Sequence, residues 1–194
     1  KLGFPDKAIE YYQQVIRIKP DEGSIHFVLG NIYLELGRRR KSLDAFNQAI
    51  RFDPDNPKAH FSLGYLYNSL GLHTEAIAAY KQAVRINPDF FKAYFNLGIS
   101  YGQLGLYKEA IDAFKQVVRI DPDNVSAYYN LGQMHRKLGL SDMAIEYYQQ
   151  VIRIKPDEGN VHFVLGSIYL ELDRRRKSLD AFNQAIRFDP DNPK

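Results

Sequence analysis

Apolar residues recur along the chain at the spacing of amphipathic α-helices. One stripe has the spacing i, i+3, i+4, i+7, and the next has the spacing i, i+4, i+7, i+8, so each lies on one helical face. Small residues in both stripes permit close approach of two helix backbones, and tyrosines fill the space beside them. The pattern predicts a helix pair over about residues 58–70 and 74–86. The stripes are His60, Leu63, Gly64 and Tyr67, then Ala76, Tyr80, Ala83 and Val84.

This pattern repeats with a period of 34 residues. A proline follows each pair, where it stops a helix, and a glycine lies between its two helices, where a left-handed turn is expected. Asp173 takes the place of the last such glycine and tolerates the same turn better than most residues. The Leu-Gly pairs that mark the period begin at Leu29, Leu63, Leu97, Leu131 and Leu165.

The period divides the chain into a partial unit and five full units, which we interpret as one array over residues 1–194. A helix pair this short exposes too much apolar surface to be stable alone, so the units must stack on each other. Because the chain begins within a unit, we expect it to be a piece of a longer protein. The units are residues 1–22, a lone second helix, and residues 23–56, 57–90, 91–124, 125–158 and 159–192.

The repeated residues resemble the tetratricopeptide repeat. The resemblance covers all five full units and implies an all-α fold, a right-handed superhelical solenoid of antiparallel helix pairs. His26, His60 and His162 depart from the family pattern, which has an aromatic residue there. In the second full unit the signature residues are Leu63, Gly64, Tyr67, Ala76, Tyr80, Ala83 and Pro88.

A slower repeat is superposed on the first. Residues 137–194 copy residues 1–58 with seven differences, at an offset of 136 residues, which is four units. A block of four units has therefore been duplicated, either in a long natural array or by engineering.

Composition and charge exclude several classes of protein. A net charge of +3 over 194 residues is too weak to indicate a nucleic-acid partner. No apolar run approaches the roughly 20 residues needed to span a membrane. The absence of cysteine suits a reducing compartment, so we expect a cytoplasmic protein.

The sequence contains no pattern typical of a catalytic, metal or cofactor site, and we expect a protein that is not an enzyme. The three histidines that replace an aromatic residue are interpreted as packing residues, because none has a second ligand one helical turn away. The Asp-Pro-Asp-Asn motif at residues 53–56 lacks the glycine and glutamate of a calcium loop, which favours a linker.

The first helices of the units carry the candidate binding residues, because in tetratricopeptide arrays these helices line the concave groove that holds extended ligands. An aromatic at one place in every unit is either an apolar anchor for a peptide or packs on the next unit's first helix. Asn96 and Asn130 resemble the asparagines with which some members hold a peptide backbone. The candidates are Phe27, Asn31, Lys58, Phe61, Tyr65, Lys92, Phe95, Asn96, Ile99, Tyr129, Asn130, Gln133 and Phe163.

Charged residues give two further expectations about the ligand. Chaperone-binding members clamp a C-terminal carboxylate with a lysine, but the equivalent place is aromatic in all five units, which argues against that ligand. Arg38 to Lys41 and Arg174 to Lys177 place positive charge at the start of second helices, where the helix dipole disfavours it. These clusters are interpreted as solvated charge runs or as sites for an acidic partner.

The leading functional hypothesis is a non-catalytic scaffold that binds another protein, as an extended peptide or a helix, in its groove. One alternative is the substrate-guiding array of a larger enzyme such as a glycosyltransferase. Another is a self-associating superhelical array, because Ala8, Tyr12, Phe182 and Ile186 lie on terminal helices that lack a covering helix. We therefore expect end-to-end association of the chain.

Overall fold

The computed structural model describes residues 4–189, apart from the side chain of Phe4, and these residues form eleven α-helices. They divide into two compact units, Lys1–Leu104 and Gly105–Lys194. Unit 1 contains α1 to α6 and unit 2 contains α7 to α11. The helices are α1 Phe4–Ile18, α2 Gly23–Glu35, α3 Arg39–Phe52, α4 Pro57–Ser69, α5 His73–Ile86, α6 Phe91–Gln103, α7 Tyr107–Ile120, α8 Val125–Lys137, α9 Ser141–Ile154, α10 Gly159–Glu171 and α11 Arg175–Phe188.

The predicted helix pair is confirmed, since α4 and α5 begin and end within one residue of the predicted bounds. At the start of α4, Pro57 occupies the first turn, and the Asn56 side chain accepts hydrogen bonds from the N–H groups of Lys58 and Ala59 at 3.1 and 3.2 Å. Such caps satisfy backbone donors that a helix leaves unpaired. Asn56 also donates to Asp53 Oδ2 at 3.0 Å, so this Asp-Pro-Asp-Asn motif is a structured helix start.

The turn inside each described helix pair has a left-handed residue. In unit 1, Gly71 has φ of 75°, and the N–H of Leu72 donates to the Tyr67 carbonyl at 3.0 Å, which closes the end of α4. In unit 2, Asp173 has φ of 53° and the same closing bond is made by the N–H of Arg174, at 2.8 Å from the Tyr169 carbonyl. The prediction that Asp173 preserves the turn is therefore confirmed.

The core of a pair forms where the Leu-Gly glycine of the first helix meets an aromatic ring of the second. A Cβ atom placed on Gly64 would lie 2.7 Å from Tyr80 Cε1, and one on Gly132 would lie 2.8 Å from Tyr148 Cε1. Both rings are almost completely buried. The absence of a side chain at the glycine thus makes the space that the ring occupies. The sequence pattern missed Ala59 and Leu66, which have no exposed surface; alanine at the former place also recurs at Ala93 and Ala127.

Two serines that replace alanine in the family pattern are buried and bonded. Ser42 Oγ donates to the Gly30 carbonyl at 2.8 Å, and Ser178 Oγ donates to the Gly166 carbonyl at 2.9 Å. Each bond joins the second helix of a pair to its first helix. The buried hydroxyl groups are therefore satisfied and do not disturb the close approach of the helices.

Consecutive repeats are joined by polar contacts that recur in the duplicated sequence. In unit 1, Arg38 pairs with Asp6 at 2.9 Å, and in unit 2, Arg174 pairs with Asp142 at 2.8 Å. Each pair links a second helix to the second helix of the preceding repeat. One arginine of each basic cluster is thus paired with a carboxylate of the chain itself. Exposed pairs of this kind contribute about 1 kcal/mol or less.

Candidate functional site

The first helices of unit 1 present the predicted candidates on one side. Neighbouring first helices are linked there, because Ser62 Oγ on α4 donates to Asn31 Oδ1 on α2 at 3.4 Å. Tyr65 is the most open of the large candidates, with 50% of its surface exposed. Lys58 and Lys92 are exposed as well. The remaining candidates of this unit are partly buried: Phe27, Asn31, Phe61, Phe95, Asn96 and Ile99.

Four of the aromatic candidates pack on aromatic rings of their own repeat. The Phe61 ring lies 5.8 Å from the Tyr80 ring and 5.0 Å from the Phe90 ring, measured between centroids. Three other candidates contact the second helix of their own repeat in the same way, and Phe27 also packs against a core cluster that contains Leu63 and Leu66 of the next first helix. These pairs are Phe27 with Phe46 at 6.2 Å, Tyr129 with Tyr148 at 5.6 Å and Phe163 with Phe182 at 5.5 Å.

The candidate asparagines share one conformation. The side-chain amide of each donates to the carbonyl four residues earlier: Asn31 to Phe27 at 3.1 Å, Asn96 to Lys92 at 2.9 Å and Asn130 to Ser126 at 2.8 Å. This bond fixes the direction of the amide, and it uses only one of the two N–H donors. The second donor and the amide oxygen remain for other partners, of which Ser62 is one at Asn31.

Unit 2 places two candidates, Tyr129 and Gln133 of α8, in one open pocket of about 570 Å³. Sequence reasoning missed the rest of its lining. A signal was present, because α8 ends in the basic pair Arg136 and Lys137, and no other repeat has two basic residues there. Asn130 and Phe163, the other candidates of this unit, are partly buried and do not line the pocket. The lining residues are Tyr129, Gln133, Arg136, Lys137, Tyr148 and Val164.

The two tyrosines under the Leu-Gly glycines have perturbed acidity. Burial raises the pKa of Tyr80 above its ordinary value of 10.0, and the neighbouring Tyr65 raises it further. Burial also raises the pKa of Tyr148, with Tyr129 adding to the effect and the positive charge of Arg136 opposing it. The Tyr80 hydroxyl is buried without a hydrogen-bond partner. Both phenols are therefore neutral hydrogen-bond donors at physiological pH.

The histidines that replace family aromatics hold the loops between repeats. His26 Nε2 donates to the Pro20 carbonyl at 2.8 Å, and His60 and His162 donate in the same way to Pro54 and Pro156, both at 2.9 Å. These contacts give the rings a structural role in addition to packing. Within residues 4–189, no group of three or more His, Asp or Glu side chains converges as ligands of a metal ion would.

The glycine-and-ring packing, the left-handed turns and the helix-stopping prolines together define one repeated helix pair. A tetratricopeptide repeat profile matches residues 1–57, 27–89 and 95–159, and a second profile of this repeat matches residues 159–192. The chain belongs to the tetratricopeptide repeat family. Proteins built from these repeats act as scaffolds that bind proteins or peptides, and such scaffolds are generally non-catalytic.

Several solved structures share this tetratricopeptide fold. A MamA protein is 26% identical, with 88% of this chain and 93% of that chain covered and a TM-score of 0.83. A MamA fragment from Desulfovibrio magneticus RS-1 is 20% identical, with 90% and 98% covered and a TM-score of 0.80. YrrB, described as a tetratricopeptide repeat protein with an unusual peptide-binding site, is 19% identical, with 93% of both chains covered and a TM-score of 0.82.

These likenesses to the second MamA structure and to YrrB concern the fold alone. A search of curated protein sequences found no match to this chain. Among its described helices, none has the length and hydropathy that crossing a bilayer requires.

Proposed function

We propose that the chain is a non-catalytic scaffold that binds an extended peptide segment of another protein along its first helices. The main support for this proposal is the open pocket of unit 2, which is lined by the candidates Tyr129 and Gln133 and lies between two neighbouring first helices. The substrate-guiding array of a larger enzyme stays an alternative prediction of the sequence.

Two features of unit 1 support the same function. Tyr65 offers a half-exposed ring beside the partly buried Phe61, and such an aromatic step suits an apolar side chain of a ligand. Asn96 has its amide fixed by the Lys92 carbonyl, so its remaining donor and acceptor are oriented before a ligand binds. Fixed polar groups lose little conformational entropy on binding, which favours recognition of a main chain.

Peptides selected from a random library on the immobilised chain test this function. We expect Tyr65→Ala with Asn96→Ala, or Asn130→Ala in unit 2, to weaken selected peptides roughly tenfold, as for residues at the centre of an interface. Because Tyr65 is half-exposed, its loss should change stability by about 0.5 kcal/mol or less. Affinity is measured by isothermal titration calorimetry and stability by urea unfolding.

Lys115→Ala is the matched control, because Lys115 is exposed on the second helix α7. It should leave peptide affinity unchanged. Failure to select any peptide, or affinities insensitive to the three groove substitutions, would contradict the proposed function.

Self-association is a second candidate, favoured by a comparison of two helices with the same sequence. Leu43 and Ile50 of α3 are partly buried against the cluster formed with Leu63 and Leu66 of α4. Their counterparts Leu179 and Ile186 of α11 are 63% and 64% exposed. These two exposed apolar side chains match a surface that packs on another helix in unit 1, and we propose that a second copy of the chain can pack on them.

Self-association is better tested at Leu179 and Ile186 than at Phe182. Phe182, expected on a terminal contact surface, instead packs on Gly166 within its own repeat, 2.7 Å from where a Cβ atom would lie. A charged residue at this place would therefore destabilise the repeat itself. We expect Leu179→Glu with Ile186→Glu to suppress association in analytical ultracentrifugation over a concentration series while the helical circular dichroism is kept. A wild-type chain that stays monomeric at high concentration would refute this candidate.

A further inference from the structure

The pocket of unit 2 is lined by hydrogen-bond donors and cations and by no acidic side chain. Arg136 and Lys137 bring two positive charges, and Gln133 adds an amide. Tyr129 and Tyr148 add two phenols. Among the side chains that line it, Val164 alone is apolar and without a polar group. We propose that this pocket binds the carboxylate of an aspartate or glutamate side chain in the peptide ligand; the inference rests on the proposed peptide-binding function.

The two phenols are arranged to donate. Asn160 Nδ2 donates to the Tyr129 hydroxyl at 3.3 Å, so that oxygen already accepts a bond and its proton is left for a ligand. The rings of Tyr129 on α8 and Tyr148 on α9 lie edge to face, with centroids 5.6 Å apart. Both line the same pocket. The Tyr148 hydroxyl makes no hydrogen bond to a side chain or backbone group of the described residues. A carboxylate can accept from both phenols and from the cations at once.

The hydroxyl of Tyr148 serves no purpose in the packing of its own repeat. The equivalent place holds tyrosine at Tyr12 and Tyr80 and phenylalanine at Phe46, Phe114 and Phe182. At Phe46 and Phe182 a ring without a hydroxyl fills the space over the Leu-Gly glycine. The polar atom is thus an addition to a position that packs without one. The basic pair, unlike the phenol, is particular to this repeat among the five full repeats. In the other four full repeats, the place of Arg136 holds Leu34, Asn68, Gly102 and Leu170. The place of Lys137 holds Glu35, Ser69, Gln103 and Glu171.

One acidic group lies at the edge of the pocket. Glu171 Oε1 accepts from Arg136 Nη2 at 2.8 Å, and more than two-fifths of each side chain is exposed. Arginine has five N–H donors, so this contact leaves donors for a ligand while it holds the guanidinium at the pocket. The Glu171 carboxylate and a bound carboxylate compete for the same charge. The site differs from the lysine clamp of chaperone-binding repeats, because its cations come from the last turn of α8.

Three libraries of acetylated and amidated nonapeptides test the proposal, with glutamate, glutamine or lysine at the centre and random neutral residues elsewhere. We expect the wild-type chain to bind the glutamate library about tenfold more tightly than the glutamine library, the effect of a charge-assisted hydrogen bond. Arg136→Gln should remove most of this preference, and Glu171→Gln should increase it. A merely structural ion pair predicts the same direction of change for both substitutions.

Tyr148→Phe is expected to reduce the preference about threefold to fivefold, because it removes one of several donors to the same carboxylate, without loss of helical circular dichroism. Tyr80→Phe in unit 1 is its matched control and should leave the preference unchanged. Equal binding of the glutamate and glutamine libraries would overturn this inference while peptide binding itself stands. Binding of no library would overturn the proposed function as well. A preference that appears only in peptides with a free C-terminal carboxylate would overturn the assignment to a side chain.

Discussion

Replacing Gly64 by alanine is expected to destabilise unit 1 by about 3 kcal/mol, the upper range for overpacking of a core. The new Cβ atom would lie 2.7 Å from Cε1 and 2.8 Å from Cδ1 of the Tyr80 ring. That ring has no exposed surface and contacts Phe61, so it cannot move aside without displacing its neighbours. The free energy of unfolding from urea titrations followed by circular dichroism measures the loss.

Gly71→Ala is the matched control, because it adds the same methyl group in a place with nothing within 4 Å. Its cost comes only from φ of 75° and is expected to be about 1 kcal/mol. Gly64→Ala combined with Tyr80→Leu should lose less than the sum of the two single losses, since the smaller side chain relieves the clash. A Gly64→Ala variant as stable as Gly71→Ala would show that the ring does not require the glycine.

Local rules predict the helices of this fold because each boundary has its own chemical mark. Pro57 and the left-handed Gly71 bracket α4, and Asp173 preserves the turn at the one place where the glycine is missing. The period then copies a correct prediction from one repeat to the next. These local rules do not predict the hydrogen bond from His60 to the Pro54 carbonyl, because that bond depends on the path of the loop in the folded chain.

The candidate site was harder to predict from the sequence, because helical periodicity shows which side of a helix a residue lies on but not how deeply its side chain is buried. Tyr65 and Phe61 are one turn apart on the same face, yet one is half-exposed and the other lies on Tyr80. The pocket of unit 2 needed residues from α8, α9 and α10, which periodicity treats separately. Comparison of Arg136 and Lys137 with the same places in other repeats would have indicated it.

Alkaline conditions are expected to destabilise the chain through the buried phenols of Tyr80 and Tyr148. Tyr80 and Tyr148 have pKa values raised above 10.0 in the folded state by burial, so they stay neutral there while the unfolded chain ionises near that value. The stability they contribute is fully present below pH 10 and is lost as pH rises toward the folded pKa. At pH 11, ionisation in the unfolded chain costs about 1.4 kcal/mol per tyrosine.

Urea titrations at pH 8, 9, 10 and 11, expressed as free energies of unfolding, measure this loss. The variant with both Tyr80→Phe and Tyr148→Phe should lose about 3 kcal/mol less between pH 9 and pH 11 than the wild-type chain, because these two side chains no longer ionise on unfolding. All other residues are the same in the two proteins, so their contributions cancel in the comparison. At pH 8 the Tyr80→Phe change should leave stability equal or higher, since it removes a buried hydroxyl without a partner. Parallel pH profiles for the two proteins would show that these phenols are accessible to solvent in the folded state.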